Sequence, residues 1–152
     1  MLEKRKIVVG LILAGLLIQV IPYGKDHQNP PVVQEPKWDT PQTRDLFMRT
    51  CGDCHSNETK WPWYSNIAPI SWLIMRDVQE GREHFNVSMW GVQKKNRGDE
   101  AAEELKEGDM PLRPYLLMHP ETRLSGDLKA KLVQGLLNTF GHGSGDHSDH
   151  DH

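Results

Sequence analysis

The sequence predicts a small all-α domain preceded by a single N-terminal transmembrane helix. Three observations lead there. Leu128, Leu132, Leu136 and Phe140 recur every four residues, which lays one apolar stripe along a helix. No stretch alternates apolar and polar residues as a strand would. And an apolar run from Ile7 to Ile21, broken only by Gln19, follows Lys4, Arg5 and Lys6.

That run assigns residues 1–22 to a signal anchor, while the same pattern also fits a signal-peptide core. The run falls short of the ~20 residues a bilayer span wants, although Tyr23 and the flanking lysines extend its reach. No A-x-A-like pair of small residues offers a cleavage site, and no cysteine there takes a lipid. The positive end then stays in the cytoplasm and everything after it is exported. Residues 23–37 hold Asn29-Pro30-Pro31 and Glu35-Pro36, so an extended spacer is expected rather than a packed element.

The domain proper is expected over residues 38–140. Thr40 before Pro41 is a helix start, a capping hydroxyl followed by proline at the first helical position. Leu46, Phe47 and Thr50 continue that helix and deliver the chain into Cys51. Trp61-Pro62-Trp63-Tyr64 reads as irregular. The next helix runs from Pro69 to Glu80 with Ile70, Leu73, Ile74 and Val78 on one side and Gly81 as its stop. Asp99 to Lys106 is rich in Ala, Glu, Leu and Lys, a helix closed by Gly108. Ser125 caps the last helix, Asp127 sits in its first turn and Gly141 ends it. Residues 141–152 contain only Gly, Ser, His and Asp and are expected to be disordered.

Net charge is −3, so no basic field points to nucleic acid. Apolar residues make up 37% of the chain, part of them in the N-terminal run. The remaining core is thin, and a buried cofactor with a large apolar face would complete it. The only two cysteines are three positions apart, which suits a local chemical site rather than a disulfide framework.

Cys51-Gly52-Asp53-Cys54-His55 has the C-x-x-C-H spacing of haem attachment. Helical spacing puts both sulfurs on one side of a turn, where each can add to one vinyl group of a single porphyrin. His55 then offers a ring nitrogen to the iron, while its other nitrogen donates to a carbonyl and fixes the tautomer. Competing readings are weaker. A thioredoxin-like dithiol needs a βαβ setting, a structural zinc site needs four ligands, and a disulfide across two residues is strained. One covalent haem c is the expected cofactor.

His84, Met110, Met118 and His119 are the candidates for a sixth ligand. Met110 has the best context, after Gly108-Asp109 at a helix end and before Pro111. A His/Met pair raises the potential and leaves no position for substrate, which means electron transfer rather than catalysis. An open or displaceable sixth position would instead suit gas or redox sensing. No distal acid–base pair calls for peroxidase chemistry, so no enzyme activity is expected. Trp63, Tyr64 and Trp72 are candidate pocket walls, with an indole N–H or phenol reaching a propionate. Arg82 is a candidate propionate partner. Lys94, Lys95 and Arg97 suggest a partner-docking patch. His142, His147, His150 and His152, with Asp146, Asp149 and Asp151, could hold a divalent metal loosely.

Several segments together carry a family resemblance. CGDCHSNETKWPWY over 51–64 resembles the start of the bacterial haem-binding domain family of exported, cytochrome c-like proteins. The similarity continues through Pro69-Ile70-Ser71-Trp72, Glu80-Gly81-Arg82, Asn86-Val87-Ser88 with Trp90, and Gly108-Asp109-Met110-Pro111. It closes with Tyr115-Leu116-Leu117, His119-Pro120-Glu121 and Arg123-Leu124-Ser125. The resemblance implies helices related to class I cytochromes c packed around one haem, with His55 and Met110 as the axial pair. Taken together, the expectation is a monohaem c-type cytochrome, single-pass in the bacterial inner membrane. Its haem domain would face the periplasm and exchange single electrons with a redox partner that the sequence does not identify. The His/Asp-rich tail departs from the family pattern.

Overall fold

The computed structural model describes residues 2–141. Among these the regular structure is helical: α1 (Leu2–Leu17), α2 (Pro41–Thr50), α3 (Gly52–His55), α4 (Ile70–His84), α5 (Ala101–Glu107), α6 (Arg113–Met118) and α7 (Gly126–Phe140). Short 3-10 turns at Ile18–Val20, Trp63–Asn66, Gly98–Glu100 and Pro120–Thr122 connect them. The tail beyond residue 141, with its proposed metal ligands, lies outside the described residues.

The helix starts follow from their caps. Thr40 Oγ1 accepts from Thr43 N at 3.0 Å with Pro41 in the first turn, and Ser125 Oγ accepts from Leu128 N at 3.4 Å. Gly108 and Gly141 close α5 and α7 at φ +89° and +87°, values that other residues reach only with strain. Replacing Thr40 with alanine is therefore expected to lower stability by about 1 kcal/mol, read from the midpoint of urea unfolding.

The core gathers Leu46 and Phe47 from α2, Ala102 and Leu105 from α5, and Leu132 and Leu136 from α7, with Phe85 and Val87 after α4. Phe47 and Leu132 are wholly buried. The Phe47 ring lies 5.2 Å from Trp38 and 6.0 Å from Phe85. This aromatic cluster runs from the α2–α7 contact to the start of the Cys51 turn, so core and site share residues.

Four expectations need correction. First, α1 is 16 residues long, and no helix among the described residues is long and apolar enough to cross a membrane. The turn Ile18–Val20 tightens to 3-10 geometry, and Gln19 leaves the apolar face to bond the domain. No described helix thus has the length expected of a membrane span at residues 1–22. Second, the proline-rich segment is extended but does not stand free. Asn29 Nδ2 donates to Thr59 O, Asn57 Nδ2 donates to Pro31 O, and Val33 N and Gln34 N donate to Ser88 O. Arg44 grips Glu35 through Nε at 2.7 Å and Nη2 at 2.6 Å. Third, Gly81 does not stop α4, which continues to His84. A Cβ on Gly81 would sit 2.8 Å from Cys54 O and 2.9 Å from Cys54 Cβ, so its glycine serves a close helix approach. Fourth, α4 buries Ser71, Met75 and Val78, leaving Ile70 and Leu73 exposed. Val78 belongs to the expected side and is buried, so the rotation by one position is confined to the start of the helix, where Ser71 and Met75 turn inward.

Candidate haem site

Cys51 joins two helices. Its N–H donates to Phe47 O, ending α2, and its carbonyl accepts from Cys54 N at 3.2 Å and His55 N at 3.0 Å, opening α3. One turn thereby carries Cys51, Cys54 and His55. Both cysteines are free. Burial pushes each thiol up to about 12, with Cys54 adding charge at Cys51 and Asp53 adding charge at Cys54. A working redox dithiol lowers a thiol instead, so the environment disfavours that reading. Among the described residues no group of three or more His, Cys, Asp or Glu is arranged to hold a metal ion.

His55 is 8% exposed and stacks on Phe85 with centroids 4.2 Å apart. Its Nδ1 lies 3.2 Å from Phe85 O. A carbonyl only accepts, so Nδ1 carries the proton and Nε2 keeps its lone pair. Burial lowers the imidazole to about 4, against smaller raising contributions from backbone carbonyls. The ring is neutral at physiological pH, the form that ligates iron.

The residues behind the Ser-Asn part of the motif lock the chain leaving His55. Ser56 Oγ donates to Gly52 O and accepts from Glu58 N. Asn57 N donates to Ser88 Oγ, Asn86 Nδ2 to Asn57 Oδ1, and Ser88 N to Asn86 Oδ1. Thr59 Oγ1 donates to Asp53 O, and Lys60 N to Asp53 Oδ1. Two of the segments that carried the sequence resemblance, 51–64 and 86–88, are thus one hydrogen-bonded unit.

The remaining candidates divide. Arg82 is not free for a propionate: Nε donates to Ser56 O, Nη1 to Gln28 O, and Nη2 to Asn29 Oδ1 and Thr59 Oγ1. It clamps the extended segment onto the site. Its five-donor fork suits that task. Trp63 is 76% exposed. Tyr64 and His119 hold each other, with the hydroxyl 2.7 Å from Nε2, while His119 Nδ1 lies 3.1 Å from Glu121 Oε1. Both nitrogens of His119 are engaged, as is Nε2 of His84 with Glu100 at 3.1 Å. Met110 is 36% exposed and Met118 is 56% exposed. Lys94, Lys95 and Arg97 of the suggested docking patch are all exposed, and Arg97 pairs with Glu100.

Two partners escaped the sequence reading. Tyr115 Oη donates to Asp53 Oδ2 at 2.8 Å, which ties α6 to the Cys51–His55 turn. Burial and the Asp53 carboxylate raise the Tyr115 hydroxyl, so it stays a donor. Phe85 lies 30 positions from His55, and no local pattern links the two.

Haem fits these residues. Two protonated thiols lie one turn apart beside a neutral imidazole. Trp72 Nε1 in α4 is buried with no hydrogen-bond partner, a donor suited to a carboxylate. Met110 and Leu112 stand uncovered on the segment that leads into α6. An all-helical domain presenting this turn is, by class, a haem-binding protein. The chain belongs to the haem-binding domain family, whose model matches residues 13–138. The matched span takes in the extended segment that Arg82 holds. No match was found among curated proteins or solved structures.

Proposed function

We propose that this chain is a membrane-tethered, monohaem c-type cytochrome that passes single electrons on the periplasmic side of the bacterial inner membrane. The observation that carries the reading is His55, held neutral with its proton on Nδ1 in the turn that also bears both free thiols. Cys51 and Cys54 would hold the haem through two thioethers, and His55 Nε2 and the Met110 sulfur would ligate its iron. Haem bound there supplies an iron that alternates between ferric and ferrous states. The protein's share is to hold His55 in one tautomer, to brace the turn through Asp53 and Ser56, and to offer Trp72 Nε1 to a propionate. The apolar, outward-facing α1 is the tether.

A second reading is favoured by one observation. Met110 is 36% exposed on a loop behind Gly108, a placement that suits a displaceable ligand and hence a gas or redox sensor. The ferrous spectrum with and without CO separates the two. Electron transfer predicts no rapid CO adduct, and rapid adduct formation supports the sensor. Met110→Ala is expected to abolish the weak long-wavelength sulfur-to-iron band of the ferric protein and to lower the midpoint potential. Survival of that band removes Met110 as a ligand.

A further inference from the structure

We infer that the face made by Ile67, Ile70 and Leu73, with Trp63 beside it, rests on the lipid interface into which α1 inserts. The inference deepens the membrane tether proposed above and rests on it.

Gln19 ties the apolar run to the domain. Its side chain clasps both backbone groups of Ala68, donating from Nε2 to Ala68 O at 2.8 Å and accepting from Ala68 N at 3.0 Å. Gln19 lies inside the apolar run itself, so no slack separates that run from the domain. Gly24 is pressed on the same spot. At φ +79° it leaves only 2.5 Å between a built Cβ and Ser71 O. The chain from 19 to 24 is thus fixed against the start of α4. If α1 enters a bilayer, the surface around Ala68 meets that bilayer.

That surface is apolar. Ile67 is 40% exposed, Ile70 43%, Leu73 52% and Trp63 76%. Ile70 and Leu73 share one side of α4, three residues apart. Arg76 and Asp77 follow on the helix and end the apolar stripe with charge. Exposed tryptophan is the residue type most typical of the lipid–water boundary, and Tyr23, 49% exposed, stands at the end of the run. The length of α1 gives the same answer. Its uncharged part plus the 3-10 turn spans ~22 Å, against ~30 Å of hydrocarbon. A short insert draws what is attached to it toward the surface. The rotation of α4, which turned Ile70 and Leu73 outward, then has a use.

The test takes the full-length holoprotein in vesicles of equal parts phosphatidylcholine and phosphatidylglycerol. A single cysteine is placed at residue 70 (Ile70→Cys) and, in a control, at exposed residue 103 (Glu103→Cys), and labelled with an environment-sensitive fluorophore. Protein lacking the added cysteine gives the background. The label at 70 should brighten several-fold on flotation with the vesicles and be quenched by doxyl lipids, whereas that at 103 should respond to aqueous iodide. Gln19→Ala should still float, with the label at 70 moved toward iodide access. A chain that floats with the label at 70 fully open to iodide overturns the docking face and leaves the tether standing. A chain that fails to float overturns both.

Discussion

Gly81→Ala is expected to destabilise the domain by about 1–3 kcal/mol, despite the ~1 kcal/mol by which alanine outranks glycine inside a helix. The reason is contact, not backbone freedom. The added methyl would meet Cys54 O at 2.8 Å, Cys54 Cβ at 2.9 Å and Cys54 C at 3.1 Å. These atoms belong to the attachment turn, so α4 and α3 must part to admit it. Gly126→Ala is the control. Nothing lies within 4 Å of a Cβ there, and a small gain in stability is expected. Urea unfolding of the two variants should therefore show midpoints displaced in opposite directions. Equal midpoints would remove the close α3–α4 approach as a determinant of the fold.

His55→Ala has the second large effect, in two separable parts. In the folded chain it deletes a ring stacked 4.2 Å from Phe85 and leaves Phe85 O without its donor. Cavity and lost hydrogen bond together amount to about 2–4 kcal/mol. At the iron it removes the nitrogen ligand. The thioethers at Cys51 and Cys54 should keep the haem on the chain, but the low-spin, six-coordinate spectrum should be lost. Imidazole added in solution should restore that spectrum without restoring the unfolding midpoint. A low-spin spectrum that persists without imidazole would mean another residue ligates the iron.

How much of this was legible in the sequence depended on whether the cause was local. The capped starts at Thr40 and Ser125, the glycine stops at 108 and 141 and the Cys51–His55 turn rest on residues a few positions apart. All could be read directly. Gly81 misled because glycine near a helix end usually means a stop, whereas here the determining atom belongs to Cys54, 27 positions earlier. The face of α4 misled for a related reason. Periodicity found the most apolar stripe, but Gln19 and Gly24 occupy the helix start and decide which stripe turns inward. α6 was missed because six residues containing Pro114 show no helical repeat. Residues 23–37 were expected to form an extended spacer. Its backbone and side-chain bonds to Thr59, Ser88 and Arg82 leave no signature in composition. Among the site residues, Arg82 and His119 looked available because partners far along the chain hold them: Thr59, Ser56, Asn29 and Gln28 lie 23 to 54 positions from Arg82, and Tyr64 lies 55 from His119.

The network around Asp53 shows why the motif extends beyond five residues. Asp53 receives Thr59 at its carbonyl and Lys60 and Tyr115 at its carboxylate. It links the attachment turn to the following loop and to α6, the helix just after Met110. A shift of the turn is thereby coupled to the loop that carries the proposed sixth ligand.

The central claim is that haem is bonded covalently to Cys51 and Cys54. Acid–acetone extraction of the protein purified from a host that exports and matures such proteins tests it most directly. The colour should stay with the precipitated chain, and its intact mass should exceed the bare polypeptide by one haem. Haem recovered in the acetone, with a chain of unmodified mass, would contradict it.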